Sequence, residues 1–116
     1  MTAPLRAPHL EIAVRNEPAA VVLALEGEVD LGTTSQFGAA ISLAAAGRPE
    51  DPVAVDMAGV TMIDSTGLRA LLDASRTLSP RLFVLRPSRE VRRMLELTML
   101  SATIPVVDDL SELPAA

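Results

Sequence analysis

The sequence of 116 residues predicts an α/β fold in which helices pack on a mixed, mostly parallel β-sheet that begins with a hairpin. Short apolar runs alternate with segments of helical periodicity, and the elements follow the order β-β-α-β-α-β-α-β-α. A single helix between two strands implies parallel pairing through a right-handed crossover. A turn between the first two strands implies an antiparallel pair, and the sheet is therefore expected to be mixed.

The first two elements are strands joined by a turn. Leu10, Ile12 and Val14 alternate with polar or small residues, which is the period of a half-buried strand. Residues 16–18 supply a turn, and the apolar run VVLAL at residues 21–25 forms the second strand. These elements predict an N-terminal hairpin.

The first helix has a recognisable start and stop. Thr33 and Gln36 have the spacing of a capping box. Apolar residues then follow at i, i+3, i+4, i+7 and i+8, namely Phe37, Ala40, Ile41, Ala44 and Ala45. Gly47 and Pro49 end this helix.

The next strand and helix meet at a polar junction. Val53, Val55 and Met57 predict a buried strand, and the apolar character continues through residues 60–63. At Ser65 the period changes from two to 3.6. The second helix then divides into an apolar face, with Leu68, Leu71, Leu72 and Leu78, and a charged face, with Arg69, Asp73 and Arg76.

The last third of the chain completes one domain that spans residues 1–116. Residues 82–85 form a buried strand, and Pro87 and Ser88 open a helix that carries Val91, Met94 and Leu95. Residues 104–107 form the last strand and residues 108–113 a short terminal helix. The termini are expected to fray at about residues 1–8 and 114–116.

Composition excludes several classes of function. The net charge of -5 and the absence of Trp and Tyr oppose nucleic-acid binding, which needs basic residues and stacking platforms. No apolar run approaches the roughly 20 residues of a bilayer span, so we expect no membrane insertion and a cytoplasmic location. The chain has no cysteine, which excludes disulfides and thiolate metal sites.

The junction IDSTG at residues 63–67 carries more polar groups than one helix cap requires. In the structural interpretation, Asp64, Ser65 or Thr66 caps the helix and Gly67 permits a tight entry. In a second interpretation, Ser65 is a catalytic nucleophile. The only histidine is His9 near the amino terminus, and a serine without a neighbouring base is a weak nucleophile. In a third interpretation, Ser65 accepts a phosphate group from another protein. The added negative charge beside the Asp64 carboxylate would repel a protein that docks on this surface.

Four acids are predicted to lie at strand ends: Glu28, Asp30, Asp56 and Asp64. Such carboxylates can hold Mg²⁺ or accept phosphate directly, as the acids of a receiver domain do. Caps and turns explain them as well, and the receiver interpretation is weakened because all ten basic residues are arginine. We therefore expect no bound metal or cofactor and no catalytic residue.

Two motifs and a later helix resemble a known family. ALEGEVD at residues 24–30 and AVDMAGVTMIDSTGLRALL at residues 54–72 look like the STAS domain of bacterial anti-sigma factor antagonists. That family carries a Gly-Glu-hydrophobic-Asp element and an Asp-Ser-small-Gly-Leu element. PSREVRRMLELTML at residues 87–100 is similar to its later helix, although Met99 stands where many relatives have glycine.

The resemblance implies a fold and a set of site residues. It implies the STAS fold, with Ser65 on the serine that a partner kinase phosphorylates and Thr66 as an alternative acceptor. Asp64 lies beside the acceptor, Asp30 helps to form the same surface, and Gly67 and Leu68 begin the switch helix. The partner-binding residues expected from the match are Asp30, Asp64, Ser65, Thr66, Gly67, Leu68 and Arg69.

The resemblance also implies a function and partners. The unphosphorylated protein would bind an anti-sigma factor of the histidine-kinase-like ATPase fold and free a sigma factor for transcription. Phosphorylation at Ser65 would release it, and a serine phosphatase would restore it. ATP and Mg²⁺ would belong to the partner, the chain itself would not be an enzyme, and a weak homodimer is left open. The alternative is a STAS subunit of a membrane transporter or lipid-transport complex.

Overall fold

A computed structural model describes residues 9–114 and places five strands in one sheet, in the order β1-β2-β3-β4-β5. The strands are β1 (Leu10–Asn16), β2 (Val21–Val29), β3 (Val53–Ile63), β4 (Leu82–Leu85) and β5 (Val106–Val107). β1 pairs antiparallel with β2, and every later pair is parallel. The predicted mixed sheet is confirmed. The ends predicted to fray lie outside the described residues, except for Pro114.

Three helices connect the parallel strands: α1 (Thr34–Gly47), α2 (Ser65–Leu78) and α3 (Arg89–Leu97). Because the strands lie in sequence order, right-handed crossovers place all three helices on the same face of the sheet. Two 3-10 turns, Leu100–Ala102 and Leu110–Glu112, flank β5. Within residues 9–114, every helix is too short or too polar to span a lipid bilayer.

The larger hydrophobic core lies between the sheet and the helices. Apolar residues in the first halves of β2 and β3 point toward this face at every second position, which is the geometry of a strand buried beneath helices. Beyond the register shifts between these strands, Val29, Val60 and Ile63 join the same core. The largest fully buried side chains here include Leu23, Leu25, Phe37, Ile41, Met57, Leu71, Leu95 and Ile104. This core fixes the start of α2 against the ends of β2 and β3.

The opposite face of the sheet carries a smaller core. Its buried members are Ala20, Val22, Ala54, Phe83, Leu85, Val107 and Leu113, and Leu110 packs against them. The C-terminal 3-10 turn therefore covers the β4 and β5 side of this face. On the β1 side, Glu11, Ala13 and Glu26 are exposed.

The predicted capping box of α1 is wrong. The Thr33 hydroxyl donates to the Glu28 carbonyl at 2.8 Å and accepts from the Asp30 N–H at 2.9 Å, so it caps no helical N–H. Gln36 donates from Nε2 to the Leu10 carbonyl at 2.8 Å. Both side chains bond to the hairpin and its following loop, because α1 begins directly beside them.

Three other boundaries differ from the prediction. β3 is one strand of 11 residues, so Asp56 lies inside a strand and not at its end. The last strand starts only at Val106, because the Ile104 N–H is used by the preceding turn, in a bond to the Leu100 carbonyl at 2.8 Å. The terminal segment forms a single 3-10 turn. Val14 belongs to the face of β1 that was predicted to be buried, but it is 56% exposed.

Candidate functional site

The carboxyl ends of β2 and β3 meet at one edge of the sheet. Val29 and Ile63 are paired neighbours, and the Asp64 N–H donates to the Val29 carbonyl at 3.1 Å. Asp30 and Asp64 directly follow these two strand ends. The structure therefore brings together the two acids that the motifs singled out.

Asp64 is the N-cap of α2. Its Oδ1 accepts the N–H groups of Thr66 at 2.9 Å and Gly67 at 3.1 Å. Partial burial raises the pKa of the carboxyl, but hydrogen bonds from the Thr66 hydroxyl and from backbone groups of Gly67, Thr66 and Leu31 outweigh it, and the pKa lies below the ordinary 3.8. Asp64 is thus a carboxylate at neutral pH and fixes the first turn of the helix.

The two hydroxyl groups after Asp64 have different surroundings. Thr66 is partly buried, and its Oγ1 donates to Asp64 Oδ1 at 2.6 Å. Ser65 is exposed, and its hydroxyl makes no hydrogen bond with any residue from 9 to 114. Ser65 therefore presents a free hydroxyl to solvent, while the hydroxyl of Thr66 is committed to the cap.

Most backbone N–H groups at the start of α2 are already bonded. A helix N-terminus usually offers free N–H groups to an anion. Here the Thr66 and Gly67 N–H groups already bond to Asp64, and the Leu68 N–H bonds to the Asp64 carbonyl at 3.0 Å. A phosphate on Ser65 would find these donors occupied and a carboxylate beside it.

Gly67 allows α2 to approach the sheet closely. A Cβ at this position would lie 2.7 Å from the Val29 carbonyl oxygen and 2.8 Å from Ile63 Cγ1. Leu68 follows on the buried face of the helix. Gly67 and Leu68 therefore set the position of the helix, and their predicted contact with a partner stays a prediction.

Arg69 and Asp30 complete the predicted set on the exposed side. Arg69 is one helical turn after Ser65, and its Nε lies 3.2 Å from Asp73 Oδ1. Asp30 Oδ1 accepts from the Gly32 N–H at 3.0 Å, which orders the loop between β2 and α1. Both residues keep polar groups at the surface around Ser65.

An apolar rim lies beside this surface, and no pattern in the sequence predicted it. Ser65, Leu68, Arg69, Leu72, Thr98 and Leu100 line an open groove between α2 and the end of α3. Met99 beside the groove is 72% exposed, and Leu31 beside Asp30 is 77% exposed. Leu31 and Met99 lie in loops where no periodicity indicates burial or exposure, so only the positions of the neighbouring elements identify them as rim residues.

The other chemical interpretations of these residues receive no structural support. Asp56 lies on the opposite face of the sheet and bonds to Arg86 at 2.9 Å, away from Asp30 and Asp64. Among residues 9–114, no three His, Asp or Glu side chains are grouped so that they could hold a metal ion. His9 is exposed, and in the described part of the chain no base bonds to the Ser65 hydroxyl.

These features define a class: a mixed α/β domain that presents a free serine at the start of a helix, beside the carboxyl ends of two parallel strands. The chain belongs to the STAS domain family, because the family model described as "Mlab, STAS domain" matches residues 12–108. No curated protein sequence matches significantly.

Solved structures of similar fold carry related names. An anti-sigma factor antagonist from Mycobacterium paratuberculosis is 24% identical, with 90% of each chain covered and a TM-score of 0.79. The anti-sigma factor antagonist SpoIIAA in its unphosphorylated form is 23% identical over 87% of this chain and 91% of its own, with a TM-score of 0.70. The phosphorylated form of the Bacillus protein SpoIIAA is 22% identical over 87% of this chain and 95% of its own, with a TM-score of 0.63.

Proposed function

We propose that this chain is an anti-sigma factor antagonist that binds an anti-sigma factor kinase when Ser65 is unphosphorylated and is released when Ser65 is phosphorylated. One observation carries the proposal: Ser65 presents an exposed and unbonded hydroxyl at the rim of an apolar groove, on a helix that other residues hold in place. The fold neighbours named as antagonists support the same role.

The surface around Ser65 fits a protein partner better than a small substrate. The groove beside it is shallow and lined by Leu68, Leu72 and Leu100, with further apolar side chains exposed at Leu31 and Met99. Exposed apolar side chains grouped at a surface are typical of protein interaction sites. The partner would be an anti-sigma factor with the histidine-kinase-like ATPase fold, which would supply ATP and Mg²⁺.

Phosphorylation would act by charge and not by unfolding the helix. A phosphoserine carries about -1.5 to -2 charges at neutral pH, and on the exposed Ser65 it would be solvated without displacing the cap. The cap by Asp64 involves backbone groups of Thr66 and Gly67 that do not depend on the Ser65 hydroxyl. The added charge would lie beside the Asp64 carboxylate and next to apolar side chains, so docking would require its desolvation. A serine phosphatase would reverse the change.

Binding to the three forms of residue 65 tests the proposal. Wild-type protein, Ser65→Asp and Ser65→Ala serve as baits in a lysate of the source organism, and captured proteins are identified by mass spectrometry. We expect wild type and Ser65→Ala to retain an ATPase of the histidine-kinase type and Ser65→Asp to lose it. Capture of transporter components by all three baits would contradict the proposal and favour a STAS subunit of a transporter.

The position of the phosphate is tested separately. The captured kinase and ATP are incubated with wild type, Ser65→Ala and Thr66→Val, a variant that keeps the shape of the side chain but lacks the hydroxyl. We expect phosphate on wild type and Thr66→Val and none on Ser65→Ala, because the Thr66 hydroxyl is bonded to Asp64 at 2.6 Å. Phosphate on Ser65→Ala but not on Thr66→Val would assign the acceptor to Thr66.

A further inference from the structure

Strand β1 is one edge of the sheet, and half of its backbone groups face away from β2. The His9 carbonyl accepts a hydrogen bond from the Glu28 N–H at 2.9 Å. His9 and Glu28, which face each other across the two strands, are therefore a hydrogen-bonded pair of the ladder. Because bonded and non-bonded pairs alternate in an antiparallel ladder, Ile12 and Val14 direct their N–H and C=O groups to the open edge. The Leu10 carbonyl also points outward, and Gln36 already bonds to it.

The sequence of β1, LEIAVRN, is complementary to itself in the antiparallel direction. With Ala13 facing the Ala13 of a second copy, Glu11 of each copy faces Arg15 of the other, and Ile12 faces Val14. In this register the outward N–H and C=O groups of Ile12 and Val14 exchange hydrogen bonds across the edge. The small Ala13 side chain lies where the two strands approach most closely.

The charges of β1 are poorly matched within one copy. Glu11 faces Glu26 directly across the β1–β2 pair, and like charges in that position are unfavourable. Among residues 9–114, Glu11 has no ion-pair partner. Arg15 lies 3.6 Å from Glu17 and 4.0 Å from Asp56, and its side chain is 45% exposed. A second copy would give Glu11 a cation that residues 9–114 of its own chain do not supply.

We propose that two copies of this chain pair antiparallel through β1, about a two-fold axis at Ala13, and form one continuous sheet. Val14, which is 56% exposed in a single copy, would then pack beside Ile12 of the second copy. The contact involves one short strand from each copy, so the dimer is weak and depends on concentration. Ser65 follows β3, two strands from this edge, and the dimer does not depend on the proposed switch.

Sedimentation velocity of the full chain over a concentration series, at low and high salt, tests the dimer. We expect wild type to dimerise and Arg15→Glu to weaken the dimer at least about tenfold, because each Glu11 would then face a second carboxylate. The double variant Glu11→Arg with Arg15→Glu exchanges the charges and should restore the affinity to within about threefold. Ala13→Arg should abolish the dimer while circular dichroism shows the same fold.

Several outcomes would overturn this inference. The inference fails if wild type stays monomeric throughout the concentration series. It also fails if Arg15→Glu and Ala13→Arg dimerise with the same affinity as wild type. A double variant that binds no more tightly than Arg15→Glu would contradict the pairing of Glu11 with Arg15. Thermal unfolding of each variant confirms that the comparison concerns folded protein.

Discussion

At the scale of single residues, one step along the chain separates a bonded hydroxyl from a free one. Thr66 bonds to Asp64, whereas Ser65 extends from the start of α2 into solvent. The first residue of a helix lies outside the bonds of the cap, which reach the second and third residues. The position of Ser65 directly after the cap therefore makes its hydroxyl available.

The cap predicts a dependence of stability on pH. Because the pKa of Asp64 is lowered in the folded protein, its carboxylate stabilises the fold above the ordinary pKa of 3.8, and this contribution is lost as the pH falls through the folded-state pKa. Asp64→Asn keeps a capping oxygen without the charge. We expect wild type to be more stable than Asp64→Asn by about 0.5–1 kcal/mol at neutral pH.

Urea unfolding of both proteins over a pH series measures this difference, which should shrink toward zero in acid. Asp64→Ala is the control, since it removes the cap at every pH and should lower the free energy of unfolding by about 1 kcal/mol even where the carboxyl is protonated. A difference between wild type and Asp64→Asn that stays constant with pH would show that the Asp64 charge does not stabilise the helix.

The close approach at Gly67 predicts a contrast between two glycines in helices. Gly67→Ala would place a Cβ 2.7 Å from the Val29 carbonyl and should lower the free energy of unfolding by about 1–3 kcal/mol. In Gly38→Ala of α1, the new Cβ meets no atom within 4 Å. This change should raise the free energy of unfolding by up to about 1 kcal/mol, because alanine has the higher helix propensity. Chemical denaturation measures both, and equal effects would contradict the contact.

At the scale of elements, hydrophobic periodicity predicted which helices and strands exist but not every contact at their ends. The apolar face of α1 was predicted correctly: Phe37 and Ile41 are fully buried. The capping box failed, because Thr33 and Gln36 bond to groups of β1 and β2 that are distant in sequence. Local spacing cannot show such competition, which depends on where the hairpin lies.

The end of α3 shows how this chain replaces a familiar glycine. Met99 has a φ of 62° and a ψ of 16°, the left-handed conformation that glycine adopts most easily. The helix ends at Leu97 all the same, and the resulting turn directs the Met99 side chain to the surface near the Ser65 groove. In this chain a methionine adopts the left-handed conformation and adds an exposed apolar side chain to the surface.

A second stability prediction follows from this turn. The free energy of unfolding of Met99→Gly should be about 0.5–1 kcal/mol higher than that of Met99→Ala. Only glycine, which has no Cβ, adopts the left-handed conformation without a steric penalty. Both variants remove the exposed side chain, so the comparison isolates the backbone. Equal unfolding free energies, measured by denaturant titration, would indicate that the turn is not left-handed.

At the scale of the whole molecule, the alternation of strands and helices was enough to predict the sheet and its pairing. The antiparallel first pair and the parallel later pairs follow from the connections. The consecutive order of the strands was not predicted and is a finding of the structure. The motif IDSTG predicted where the polar groups of the site lie. The apolar rim was not predictable, because Leu31 and Met99 lie in the loops after β2 and α3, and only the folded sheet brings these loops near the site.

The central claim is that phosphate on Ser65 weakens binding of the partner without unfolding the domain. The direct measurement is calorimetric titration of the captured ATPase with protein that is fully phosphorylated at Ser65 and with unphosphorylated protein, after circular dichroism confirms that both are folded. We predict that phosphorylation weakens binding at least about 100-fold, which corresponds to the burial of an unpaired charge. Equal affinity of the two folded forms would contradict the account.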